Sequence, residues 1–469
     1  TTRARALCDP LPPFAEPPDM ASQAPREAED APLNPIARQL NEKLEEAAPE
    51  ILSMLSAYGR RLYFPKGILS QSAEAKQKAH RFNATIGIAT EGGKPMALPS
   101  ITTQLGDVPT ADAVNYAPPG GRPGLRKLWR EKLLAENPSL RDKRFGEPVV
   151  TNAITHGLSL AGELFLDPGD VVLMPDQLWG NYRLTFEIRN RAKIHTFPFY
   201  TEQGGMDTAG FAARLAELSQ GRDKVVVLLN FPNNPTGYMP TAAEGDALAS
   251  ALEHQAAKGT KLVVLCDDAY FGLFYHLGGE SMTESLFGRL TGRHPNLLAV
   301  KLDGATKELF VWGLRCGFIT FGPGRPETAE VVCEVLDAKT RGAIRGGISN
   351  VPQLSQTLVE RALASPDLAA ERDAKCDVLR ARATRVFEIA NQPRFAESFS
   401  VYPFNSGYFM LVKVDGVDAE KLRVHLLDEY GVGLIATSPT DIRVAFSCLE
   451  VDDVEPLFEA MHKAIQELR

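Results

Sequence analysis

The chain has 469 residues and a mass of 51.2 kDa; apolar residues make up 44%, charged residues 23%, and the formal net charge is −8. Such a length exceeds one simple core and predicts two or three packed units with the composition of an ordinary soluble globular protein. The acidic balance argues against nucleic acid or an anionic membrane as the main partner, and no apolar run approaches the ~20 residues that span a bilayer.

Residues 1–33 are rich in Pro, Ala and acidic residues, with prolines at 10, 12, 13, 17, 18, 25 and 32. A stretch of that kind buries too little apolar surface to fold alone, so it reads as an extended arm. From about residue 34 to 58, Ile36, Leu40, Leu44, Ile51 and Leu55 recur at helical spacing and predict one amphipathic helix. Residues 122–133 read as a second helix, with Leu125, Leu128, Trp129 and Leu133 on one face. Short apolar or β-branched runs follow at 171–174, 194–199, 225–229, 262–266, 297–302 and 318–321, separated by helix-forming stretches such as 211–218 and 242–257. Near-continuous apolar strands alternating with helices predict a mostly parallel sheet covered on both faces. Beyond residue 351, long helical patterns lead to strands at 408–414 and 442–446, the mark of a smaller α+β unit. The expected plan is an arm at 1–33, a segment at 34–100 that completes the smaller unit, a large unit at 101–345 and a small one at 346–469.

The six cysteines show no Cys-x-x-Cys pairing, which fits neither a zinc site nor a disulfide framework, so no metal is expected. With no basic stretch followed by an apolar run near residue 1, the expectation is a cytoplasmic protein.

Ligands of open α/β sheets sit beyond the carboxyl ends of the strands. Three predicted strands here end in polar segments: Asn230-Phe231-Pro232-Asn233-Asn234-Pro235-Thr236-Gly237, Asp267-Asp268-Ala269-Tyr270, and Gly304-Ala305-Thr306-Lys307. Each is weak by itself. Their order and spacing, with Arg315 eight residues after Lys307, resemble fold-type I pyridoxal-phosphate enzymes, and within them the class I/II, aspartate aminotransferase-like enzymes. The resemblance runs at least from Tyr116 to Arg443. It implies a seven-stranded, mostly parallel sheet flanked by helices, a smaller α+β domain, and a homodimer with shared active sites.

By that resemblance, Lys307 carries pyridoxal 5′-phosphate as a Schiff base and then moves the substrate Cα proton. Asp267, with Asp268 as competitor, would face the pyridine nitrogen and keep the ring an electron sink. Tyr270 and Asn234 would donate to the ring's 3-hydroxyl oxygen, and Trp179 would stack on the ring. The segment Thr151-Asn152-Ala153-Ile154-Thr155-His156 would hold the phosphate on helix N–H groups of Ile154 and Thr155, with Arg315 beside them and Tyr116 reaching in from the neighbouring subunit. Two departures remove side-chain donors: Ala153 and Ile154 stand where Gly or Ser is common, and Gly304 replaces a Ser often found three residues before the lysine.

Arg443, in an apolar stretch, would clamp the substrate α-carboxylate next to Trp179 and Asn234. The run Arg345-Gly346-Gly347-Ile348-Ser349-Asn350-Val351-Pro352 resembles the segment whose arginine crosses between subunits to a side-chain carboxylate, with Arg341 as the nearby competitor. The activity implied is amino-group exchange between a dicarboxylic amino acid, aspartate or glutamate, and a 2-oxo acid. The same residues also suit lyase, decarboxylase or synthase chemistry at Cα, and a regulatory ligand-binding protein on the same fold is a further alternative.

Overall fold

Seven short runs between residues 149 and 323 pair into one sheet: β1 (Val149–Asn152), β2 (Val171–Pro175), β3 (Lys193–Phe197), β4 (Lys224–Asn230), β5 (Lys261–Asp267), β6 (Leu297–Gly304) and β7 (Cys316–Pro323). Their spatial order is β1-β7-β6-β5-β4-β2-β3. All adjacent pairs are parallel except the two that involve β7, which runs antiparallel to β1 and β6. The central strands β4 and β5 bury every residue but the first, as expected where helices cover both faces. β1 had no clear signature: only Val149 and Val150 are apolar, and the strand is defined by its register against β7, Thr151 opposite Gly317.

This computed structural model describes residues 32–64 and 67–469, so the expected arm lies outside the described residues except for its last two positions. Residues Leu33–Arg469 form one compact unit. The single helix expected over 34–58 is instead three: α1 (Pro35–Ala47), then short turns at Pro49–Met54 and Ala57–Arg61. Pro49 has no N–H to donate and opens a new helix at its first position, and the Ser56 hydroxyl accepts from Gly59 N at 2.9 Å to start the next. Farther on come α2 (Pro123–Glu136), which buries Leu125, Trp129 and Leu133, then α3 (Ala153–Phe165), α4 (Ala329–Gly347) and α5 (Leu368–Ala390).

A second, antiparallel sheet follows from β8 (Phe399–Val401), β9 (Phe409–Val414), β10 (Ile435–Ala436) and β11 (Asp441–Ala445), in the order β8-β9-β11-β10. The N-terminal residues 82–90 lie against it. Ala445 N donates to Ala84 O at 3.0 Å, and Ala84 N donates to Gly433 O at 2.9 Å.

Two glycines set how tightly the strand ends meet. A Cβ on Gly317 would sit 2.7 Å from the Ala153 carbonyl carbon, and one on Gly304 would sit 2.8 Å from Cys316 O. Without those side chains, the ends of β6 and β7 press against the start of α3, where Ala153 adopts a left-handed φ of 62°. Gly317→Ala is therefore expected to cost about 1–3 kcal/mol of stability. Urea unfolding measures it; an unchanged midpoint would show that the start of α3 moves aside freely.

Candidate active site

The carboxyl ends of β4, β5 and β6 open into a cavity of about 340 Å³. Lys307 stands just past β6, in the short helix Ala305–Glu308, and its carbonyl accepts from Tyr408 Oη at 3.0 Å. Its Nζ lies 5.1 Å from the centre of the Tyr270 ring. Burial lowers the amine's pKa to about 8, against the attraction of Asp267 and with the help of Arg315.

Asp267 ends β5 and is buried at the floor of the cavity. Tyr182 Oη donates to its Oδ2 at 2.7 Å, and Ala269 N donates to Oδ1 at 3.1 Å. Burial pushes this carboxyl up from its usual range, and the Tyr182 bond and the Lys307 charge pull it back. Asp268 points the other way. It accepts from Ser285 Oγ at 2.6 Å and pairs with the fully buried Lys301, so of the two neighbours only Asp267 lines the cavity.

Arg443, on β11, is 2% exposed. Its Nη1 donates to Asn234 Oδ1 at 3.1 Å, its Nη2 donates to Thr85 O at 2.9 Å, and its Cζ lies 4.1 Å over the Phe409 ring. Among the described residues it has no carboxylate partner, and burial lowers its pKa to about 10. Asn234 is held from behind: its N donates to Asn230 Oδ1, whose amide in turn donates to Asp267 O, both at 2.8 Å.

At the opposite end, Ile154 and Thr155 occupy the first turn of α3, which Asn152 does not cap with its side chain. Arg315, at a φ of 54°, donates from Nη1 to Trp312 O at 3.1 Å and lines the cavity. The His156 imidazole beside this turn is pushed down to about 4, chiefly by burial and then by Arg189, so it carries no charge at neutral pH. Trp179 lines the cavity and meets Tyr182 edge to face at 5.5 Å.

Lys307, Asp267, Tyr270, Asn234, Trp179, Ile154, Thr155, Arg315 and Arg443 thus share one cavity. Tyr116 and Arg345 do not join them. Tyr116 is 89% exposed, and Arg345, in the last turn of α4, donates to Ser349 Oγ at 2.6 Å. The two lie on connected segments, since Asn350 Nδ2 donates to Ala117 O at 2.6 Å. Arg341 is engaged with Asp337 at 2.5 Å. Sequence reasoning missed Tyr182, Trp312, Phe409 and the apolar wall of Ile68, Ile86 and Ile88. Tyr182 had a signal, three residues after Trp179; the isoleucines had none.

The donor set fits pyridoxal phosphate. A lysine amine, a carboxylate facing it, an uncapped helix start beside an arginine, and an indole and a phenol occupy one cavity. Arg443 Nε, Thr306 Oγ1 and Trp312 Nε1 are buried at its border with no hydrogen-bond partner among the described residues. Buried polar atoms of native proteins are seldom left this way unless something else satisfies them.

The model of a family described as aminotransferase class I and II matches residues 91–461. An aspartate aminotransferase of Musicola paradisiaca is 31% identical over 217 residues, 44% of this chain and 47% of that protein. An aspartate/prephenate aminotransferase of Thermus thermophilus is 30% identical over 206 residues, 43% and 47% of the two chains. The chain thus spans about half the length of the curated relatives it matches. Among solved structures, an aminotransferase from Anaerococcus prevotii superposes with a TM-score of 0.76 at 22% identity, covering 87% of this chain and 98% of the other. A Pyrococcus horikoshii kynurenine aminotransferase gives 0.72 at 17% identity, covering 89% and 98%. Identities this low show the fold: the α/β sheet of seven strands flanked by helices is the fold-type I architecture.

The depressed amine can be read directly. In cofactor-free protein, labelling of Lys307 by an amine-reactive reagent should rise with a midpoint near pH 8. Asp267→Asn removes an attraction that holds the ammonium form and should move the midpoint lower; Arg315→Met removes a repulsion and should move it higher. Peptide mass mapping across pH gives the three midpoints, and a wild-type midpoint at the ordinary lysine value would contradict the burial.

Proposed function

The chain belongs to the class I and II aminotransferases, a pyridoxal-phosphate-dependent family, and on that premise we propose that it transfers an amino group from an amino acid to a 2-oxo acid in two half-reactions. The observation that carries this reading is the convergence on one cavity of Lys307, Asp267 and Arg443, the last with no carboxylate partner among the described residues.

Bound pyridoxal phosphate supplies an electron-withdrawing ring that stabilises negative charge at the substrate Cα. The chain's own residues do the rest. Lys307, already short of solvation and easily deprotonated, attaches the cofactor and later takes the proton from Cα at its Nζ. Asp267, steadied by Tyr182, would keep a proton on the ring nitrogen. Ile154, Thr155 and Arg315 would hold the phosphate, joined by Tyr116 of a second copy. Arg443 takes the substrate α-carboxylate through its fork of donors, with Asn234 fixing the guanidinium's plane. Lys307→Ala should leave a folded protein with no visible absorbance from linked cofactor and no 2-oxo acid product. A variant that kept both would refute the assignment.

The donor class we propose is dicarboxylic, and the protein a homodimer. The support is one surface that carries Arg345 and Tyr116 with exposed Val114 and Ile348, an apolar face of the sort two copies bury against each other. Among the described residues of one chain, the cations lining the cavity are Lys307, Arg315 and Arg443, and Arg345 from the neighbouring copy would add one for a distal carboxylate. The wall of Ile68, Ile86 and Ile88 favours a second reading, in which neutral or aromatic side chains bind there instead. Arg345→Ala separates them. If Arg345 meets a carboxylate, its loss costs roughly 3–5 kcal/mol, on the order of a hundred- to several-thousand-fold in kcat/KM for aspartate, with alanine and leucine little changed. Equal losses for acidic and neutral donors would mean that Arg345 is structural, and a wild-type preference for neutral or aromatic donors would favour the apolar reading.

A further inference from the structure

α5 carries two arginines ten residues apart, about 15 Å along a helix axis, and each grips a different side of the cavity. Arg372 Nη1 donates to Glu308 Oε1 and to Glu136 Oε1, both at 2.9 Å. Glu308 directly follows Lys307, is 4% exposed, and is also paired with Lys132 at 2.6 Å. At the other end Arg382 is fully buried. Its Nη1 donates to Thr90 O at 2.6 Å and Ser447 O at 2.8 Å, and its Nη2 meets Glu450 at 2.7 Å. Those acceptors belong to the substrate side. Thr90 ends the segment whose Ile86 and Ile88 wall the cavity and whose Thr85 carbonyl takes Arg443; Ser447 lies four residues after Arg443 and donates to Ile88 O at 2.7 Å.

We propose that Arg372 and Arg382 are positioning residues, and that α5 is a strut that fixes the spacing between the Lys307 turn and the Arg443 wall; the proposal rests on the assignment of those two residues above. Neither arginine reaches the cavity. Arg372 is part-buried, and the carboxylate that meets Arg382 is about half exposed; ion pairs of either kind add little net stability, so stability alone explains the two grips poorly. A planar guanidinium that binds two acceptors at once fixes direction as well as distance, which an ammonium on a flexible stem does not. Arg372 bridges α2 and the residue beside the lysine, and Arg382 bridges the N-terminal wall and the end of β11. The rigid rod between them converts two local grips into one distance.

The test is a double-mutant cycle in full-length, cofactor-loaded protein with Arg372→Lys, Arg382→Lys and the pair. Two readouts are taken: the pH midpoint of the bound cofactor's visible absorbance, and kcat and KM separately for the best amino donor. Arg382→Lys should raise KM about tenfold. It should also shift the absorbance midpoint, although it lies far from Lys307. Arg372→Lys should shift the midpoint further and lower kcat about tenfold. The pair should do clearly less than the product of the single effects, because releasing one end already slackens the rod. Sites this far apart with no shared partner otherwise act independently. An absorbance midpoint that ignores Arg382→Lys, or effects that multiply, would overturn the strut. If the lysine variants do not fold, Glu308→Gln combined with Glu450→Gln removes one acceptor at each end and is judged by the same two criteria. A wild type that yields no 2-oxo acid yet shows coupled midpoints would count against amino transfer and leave the strut standing.

Discussion

A guanidinium buried with no carboxylate partner among the described residues is the condition around which this cavity is arranged. Taking Arg443 out of water costs several kcal/mol, and two neutral acceptors with an aromatic face return only part of it. That imbalance gives the cavity its polarity: one wall waits for an anion, while the floor already holds one in Asp267. The N-terminal segment takes part in the same arrangement, because Thr85 O follows Ala84, which is bonded to Ala445 and Gly433. The Arg443 wall, the Asn234 turn and the Phe409 strand are therefore parts of one solution to one desolvation problem.

The lysine poses the opposite problem. Its charge is the form the site must shed, and burial eases that by lowering the pKa to about 8. Aspartates at successive positions serve both ends of the requirement. The alternation of a strand sends Asp267 to the cavity and Asp268 to Lys301, so the second carboxylate is neutralised and adds little negative field at Lys307. Had both faced inward, the ammonium would have been stabilised and the free amine made scarce.

Most of the large sheet was legible because its strands are buried on both faces and read as unbroken apolar runs; β4 and β5 stand where their valines and leucines placed them. β1 was not legible, since a four-residue edge strand half made of polar residues is defined by its neighbour and not by its own pattern. The helix over 34–58 failed at Pro49, where the apolar spacing continued across a residue that cannot. Lys307, Asp267, Asn234 and Arg443, which line one cavity, were singled out by the order and spacing of their segments and the resemblance these carry, since each segment is weak by itself. The isoleucine wall was not, because an apolar residue lining a cavity and one filling a core look alike in sequence. Arg372 and Arg382 were hidden for a related reason: on a 23-residue helix with many charges, only the acceptors reveal which arginines grip other elements.

The tight meeting of β6 and β7 also decides where an anion's donors can come from. Any side chain at Gly304 would strike the Cys316 carbonyl and Gly317 Cα, each 2.8 Å from the Cβ position. A hydroxyl therefore cannot be added there by substitution alone, because it would first break the packing of the two strand ends. At that end of the cavity the donors are left to the α3 turn and Arg315.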